Sequence, residues 1–320
     1  PKAYLAAYQQ PTGSRFGGDA LFNAENRKKG AMITYYLKKG YKKKTSDKNG
    51  SKVDSDDEEN NSKETLKKKK DSIWLKIYDQ EELIRTLKFK TPEKAGLHRI
   101  YWNLDRKGVQ NPTRNINKDS KEASGIKVRP GLYSLTMEFG GQSDTSEITV
   151  LEDPRLDIDQ TAQEEIFTAR EELRNYKELA AEAVKQLVES KNTTEELLKK
   201  LKKKDKKTFK ENIEATEVMG KSIDSLIAQF LGKDDKRQGI IRNPEMTVMK
   251  RIQTAERYIR TSRNTYSTTE QRLMEYAKND LGQALKKTNE FFAVKWNEYK
   301  TTIDALNLSP FKEVKAFEFE

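Results

Sequence analysis

The 320-residue chain contains no cysteine and a single histidine, His98. Without cysteine there are no disulfides, thiolate zinc sites or thiol nucleophiles. One histidine excludes the paired Glu-x-x-His ligands of a di-metal helical bundle and leaves one imidazole as a candidate base. Long apolar runs are also missing: nothing approaches the ~18 consecutive apolar residues of a membrane-spanning helix. Hydrophobic residues make up only 34%, which argues against one large apolar core. Pro1 is not an initiator methionine and no signal-peptide pattern follows it, so the chain is expected to be a piece of a longer one.

Charge is abundant. Charged residues are 35% of the chain, with a net charge of +11. Two stretches hold nearly all of the excess: Lys42–Lys70, with ten lysines against seven acids, and Lys199–Lys210, with eight against one. Both are lysine in low-complexity sequence, without the arginine forks or interleaved aromatics of nucleic-acid readers. The reading is therefore solvated lysine on a loop and a helix end, and it weighs against nucleic acid as a partner. Lys199, Lys200, Lys202, Lys203 and Lys204 remain the candidate interaction lysines, for acidic glycans, lipopolysaccharide or nucleic acid.

Patterning divides the chain. Ala31–Leu37 (AMITYYL) is β-branched and aromatic, as strands are. Residues 42–71 offer almost no apolar anchors and are read as a charged flexible insertion. From Ser72 the texture is β: Ile73, Leu75 and Ile77 alternate with Trp74, Lys76 and Tyr78. Further strands are expected over Leu83–Phe89, Gly96–Leu104, a turn and strand over Arg129–Met137, and Ser146–Leu151. Short strands at this spacing predict a small antiparallel Ig-like sandwich over 72–156, with a polar loop at Lys107–Lys127. After Asp153-Pro154-Arg155 the period becomes helical. A first seam runs Ile166, Ala169, Leu173, Tyr176, Ala180, Ala183, Leu187, and a second runs Phe209 to Phe230. The second helix is expected to start near Thr193 or Thr194, with a close helix approach at Gly220 and a stop at Gly232. Val248–Tyr266 and Leu273–Leu306 carry the third and fourth seams. The expected fold is α+β and multidomain: the sandwich, then an elongated antiparallel four-helix bundle over 157–308 with helices about 30–60 Å long. An extended tail, 309–320, follows.

No residue pattern proposes catalysis. His98 has no adjacent nucleophile and is read as a packed or capping residue. The acidic pairs Glu164/Glu165, Glu171/Glu172 and Asp234/Asp235 are read as solvated helix or turn residues. Asp54–Glu59 lacks the ligand spacing and glycine of a calcium loop. No cofactor and no metal site are expected. The aromatics Phe16, Phe22, Tyr35, Tyr36 and Tyr41 crowd a short segment, and are expected to pack on a domain preceding Pro1 rather than on the sandwich.

Two sets of motifs carry a family resemblance. Phe22-Asn-Ala-Glu25-Asn26, followed by Gly30-Ala-Met-Ile-Thr-Tyr35-Tyr36-Leu37, resembles a signature lying just after the β-propeller of large exported bacterial sortilin-like, or BNR/Asp-box, proteins described as glycosyl hydrolase-like. Ile77-Tyr-Asp79, Ile84–Leu87, Gly96-Leu-His98-Arg99, Trp102-Asn-Leu104 and Pro130-Gly131-Leu-Tyr133 resemble the Ig-like sandwich of that family, which is similar to one in flagellar hook-capping proteins. The resemblance implies that residues 1–41 form a post-propeller linker with one strand. Trp102, Gly131 and Tyr133 would serve core packing and a tight turn. Any sugar or peptide site of the family would lie in the propeller, so no catalytic residue carries over. The function implied is a non-catalytic scaffold that contacts the upstream propeller and other envelope proteins, in a protein that is periplasmic, outer-membrane-associated or secreted. The alternatives are an accessory part of a propeller-type hydrolase of glycan or peptide, and lysine-mediated adhesion to polyanions, which would fall steeply with salt.

Overall fold

The computed structural model describes residues 1–6, 28–38, 40, 72–115, 122–203, 208–233, 245–262 and 265–306. The insertion 42–71, the tail 309–320, Phe16, Phe22, Glu25, Asn26, Tyr41 and Lys204 lie outside them. The fold is a small antiparallel β-sheet domain followed by a bundle of helices. The chain divides into two compact units, Pro1–Gly108 with Lys121–Asp157, and Val109–Ser120 with Ile158–Glu320.

The β unit contains β1 (Lys2–Tyr4), β2 (Ala31–Leu37), β3 (Ser72–Asp79), β4 (Glu82–Lys90), β5 (Gly96–Trp102), β6 (Asp105–Lys107), β7 (Ser124–Lys127), β8 (Gly131–Phe139) and β9 (Gln142–Leu151). Five strands form one sheet in the order β1-β9-β8-β3-β4, antiparallel except where β1 runs parallel to β9. β2 and β5 pair antiparallel as a separate ribbon, and β6 and β7 as a short second one. The alternation of β3 buries Ile73, Leu75 and Ile77, as expected of a half-buried strand. Leu75 and Ile77 meet Ala31, Ile100 and Trp102 from the β2–β5 ribbon, with Tyr133, Leu135, Ile148 and Val150 from β8 and β9, in one core. The two-residue link Gly140-Gly141, at φ 60 and 86, closes the β8–β9 hairpin with the positive φ that such turns demand.

Three expectations are corrected here. The segment around β2 packs into the sandwich: Ala31 and Leu37 are buried and every β2 residue pairs with β5. Of the five aromatics expected to pack on a preceding domain, Tyr35 packs against the β core instead, on a partner strand 60-odd residues later in sequence, whereas Tyr36 is exposed and Phe16, Phe22 and Tyr41 lie outside the described residues. Gly131 starts β8 without positive φ, and an added Cβ would meet only Tyr133 Cε2 at 3.8 Å, so no tight turn requires glycine there. The polar loop at Lys107–Lys127 ends in β6 and β7, strands too short to show alternation.

The helical unit contains α1 (Gln160–Lys203), α2 (Lys210–Leu231), α3 (Val248–Thr261), α4 (Thr268–Phe291), a π-helical turn (Phe292–Trp296) and α5 (Asn297–Asp304). Asp159 accepts from the backbone amides of Thr161 and Ala162 and caps α1. Ser267 and Glu270 form a capping box on α4. Gly232, at φ 83, ends α2 as expected. α1 is one helix of 44 residues, and no new helix starts at Thr193 or Thr194. Both threonines instead turn their hydroxyls back onto backbone carbonyls of their own helix, at Glu189 and Lys191.

The four helical rods share one apolar core, in which α2 and α3 lie in succession along α1. Lys202 and Lys191 of α1 pair with Glu217 and Asp224 of α2; further back, Lys177 pairs with Glu256 of α3, and Arg170 donates to the Ile259 carbonyl. α4, the π turn and α5 then return, with Asp280 on Arg251 of α3 and the Tyr299 hydroxyl on Thr216 of α2. Buried Leu281, Ala284, Thr288 and Phe291 keep 3-4 spacing, but the next buried residue is Tyr299, eight further on. Two helical turns need about seven, and the π turn absorbs the extra residue.

Candidate interaction surface

Three places concentrate chemistry. The first is a polar centre inside the β unit. Trp102 is fully buried, with its indole N–H donating to the Asp105 carbonyl at 3.0 Å and its ring edge-on to Tyr133. Between them Leu104, buried, holds φ 55, a left-handed conformation costly for a bulky side chain. Asp105, 2% exposed, lies 3.6 Å from the guanidinium of Arg85, itself 6% exposed, and accepts from the Ser124 hydroxyl at 2.5 Å. Arg85 also donates to Glu122 Oε1 at 3.2 Å and to the Ala123 carbonyl. Glu122 Oε1 accepts from the Thr86 amide. These bonds tie β4, β6 and β7 together and hold the Leu104 corner in place. Ser124 donates its hydrogen bond to a carboxylate already paired with arginine, so the cluster reads as a clamp rather than as a nucleophile with its base.

The resemblance motif surrounds this centre. Gly30 has φ 93, and a Cβ there would lie 2.1 Å from the Trp102 carbonyl oxygen. Tyr133 donates its hydroxyl to the Arg129 carbonyl at 2.7 Å, and burial pushes its pKa up to about 12. That bond resembles the corner tyrosine of Ig-like sandwiches. Tyr35 and His98 face inward as a cross-strand pair, with ring centroids 5.7 Å apart. His98 Nε2 is 2.8 Å from the Lys94 carbonyl oxygen, and burial raises the pKa of Tyr35. His98 is thus packed and bonded to backbone.

The second place is the outward face of the β2–β5 ribbon, which sequence reasoning treated only as aromatic crowding. Alternation turns Met32, Thr34 and Tyr36 out of β2, and Leu97, Arg99 and Tyr101 out of β5. Leu97 is 75% exposed, Tyr36 68% and Met32 53%, while Lys28 lies over the Tyr101 ring, 5.2 Å from its centroid. Period-2 spacing does not mark this face, since Met32 and Tyr36 of β2 and Leu97 and Tyr101 of β5 are apolar or aromatic at outward positions; the pairing of the two strands shows which side is outward.

The third place is the lysine-rich end of α1. Leu201 is buried, and Lys199, Lys200, Lys202 and Lys203 point away from it, exposed. Lys202 bonds Glu217 at 2.8 Å, and that bond lowers the Glu217 pKa. Cations in the last turn also offset the partial negative charge of a helix C-terminus, which gives these lysines a structural role.

Among the described residues no group of three or more His, Asp or Glu side chains could hold a metal ion, and no helix is long and apolar enough to cross a membrane. No protein-family model matches this chain, and no curated protein or solved structure matches it either.

Proposed function

We propose that this chain is a non-catalytic scaffold and interaction region of an exported sortilin-like propeller protein, and that it makes protein–protein contacts through the outward face of the β2–β5 ribbon. One observation carries this reading: Met32, Tyr36 and Leu97 are held in water on one face of two paired strands, on either side of the Thr34–Arg99 rung. Such patches mark docking sites more often than they mark nothing, and tyrosine is favoured where a partner must be gripped. The partner closest to hand is the propeller that the resemblance places upstream in the same chain, with other envelope proteins next. The positions of Gly30, Trp102 and Tyr133 support the resemblance, since each has a structural reason for its residue type.

The test is a binding titration between the separately purified upstream region and this chain. The double variant Tyr36→Asp/Leu97→Asp should lose at least about tenfold in affinity, the cost of burying charge in an apolar contact, with unchanged thermal unfolding. Undiminished binding would sink the reading. So would hydrolysis of a glycan or peptide panel by the chain alone above buffer rates.

A further inference from the structure

The docking reading leaves the partner's chemistry open, and the strand register narrows it. Outward side chains of the ribbon stand in three cross-strand rungs: Met32 opposite Tyr101, Thr34 opposite Arg99, and Tyr36 opposite Leu97. Successive rungs are about 7 Å apart, two residues of strand rise. The outer rungs are apolar and aromatic. The middle rung carries a guanidinium and a hydroxyl, and the Lys28 ammonium sits over Tyr101 at one end. Neither strand contains an acidic residue. The face therefore reads apolar, cationic, apolar, with net positive charge.

We propose that this face receives an extended segment of the upstream region of the same protein in which an acidic residue is flanked at alternate positions by apolar ones, in the order apolar–x–acid–x–apolar. An extended segment projects alternate side chains to one side with the same ~7 Å repeat, so it meets all three rungs at once. Its carboxylate reaches the Arg99 fork, a geometry suited to two parallel hydrogen bonds. A purely apolar segment would cover Arg99 without pairing it and is discriminated against on that ground. A second copy of this ribbon, packed face to face about a two-fold axis, would bring the central Arg99 against its own copy, which disfavours self-association through the face. This inference rests on the docking reading and specifies its recognition rule.

The probe is a cyclic hairpin peptide presenting Val-x-Glu-x-Val on one face, compared with the same peptide carrying lysine in place of glutamate. Titrated against the intact chain, the glutamate peptide should bind at least about tenfold more tightly, as expected when like charges meet in place of a pair. In the Arg99→Glu variant the preference should invert, a result that misfolding cannot produce. Tyr36→Ser should weaken both peptides. Equal affinity for the two peptides, a preference unaltered by Arg99→Glu, or dimerisation of the chain abolished by Tyr36→Ser would overturn the proposal. If charge dependence fails while Tyr36→Asp/Leu97→Asp still abolishes binding of the upstream region, the recognition rule falls and the docking reading stands.

Discussion

Gly30, at the bend leading into β2, and Gly220, inside α2, occupy opposite situations. At Gly30 the backbone takes a positive φ and a Cβ would collide with the Trp102 carbonyl. At Gly220 a Cβ would meet nothing nearer than Thr194 Oγ1 at 3.9 Å. An added Cβ at Gly220 would make an ordinary van der Waals contact, so the packing of α2 on α1 does not require glycine there. The β unit joins strands distant in sequence by direct backbone contact around a buried ion pair, and it tolerates little change. The helical unit repeats apolar layers along α1, so single positions carry less.

The largest effect expected from this contrast is that of Gly30→Ala, about 4–5 kcal/mol of lost stability, the upper end for one substitution, read by chemical denaturation. A loss under about 1 kcal/mol would mean that the β2–β5 approach gives way easily. Asp105→Ala should come next at about 2 kcal/mol, because it leaves the buried Arg85 guanidinium with Glu122 as its one remaining carboxylate and the Ser124 hydroxyl without its acceptor; calorimetry would show it as a lowered unfolding temperature. Tyr133→Phe should cost about 1 kcal/mol at neutral pH through its lost hydrogen bond to Arg129. It should also change the alkaline limb. The folded pKa of Tyr133 is raised, to about 12, so its contribution is full below the unfolded value near 10 and is lost as pH rises toward about 12. Unfolding followed from pH 9 to 12 should therefore slope less steeply in Tyr133→Phe than in the parent. The smallest effect has the opposite sign: Gly220→Ala, and Gly282→Ala where a Cβ meets open space, should each stabilise by just under 1 kcal/mol, read as a shifted denaturation midpoint. A destabilising Gly220→Ala would bring the two units closer in character than the contrast allows.

Legibility followed the same division. β3 and the helix phases could be read because burial repeats with period 2 or 3.6 over enough residues to count, and β2 from its β-branched and aromatic content. β1, β6 and β7 have three or four residues and no period. α1 could not be read as one helix because Thr194, buried in its seam, is polar and has the look of a cap; only the packing against α2 reveals that its hydroxyl is satisfied within the helix. The π turn shows in sequence as the eight-residue gap between Phe291 and Tyr299, a signal recognisable once the bundle is known. The Arg85–Asp105 centre has no local signature, since its members are brought together by strand pairing alone. The lysine end of α1 was conspicuous in sequence for its charge, yet the outward ribbon face, nearly silent in composition, carries the stronger case for interaction.

The central claim, that this ribbon face meets a partner in the whole protein, is tested most directly by amide hydrogen exchange of the full-length protein compared with this chain alone. Exchange at Ala31–Leu37 and Gly96–Trp102 should slow in the full-length protein, with α1, α2 and α3 unchanged. Equal exchange at those two strands, or slowing confined to the helices, would contradict it.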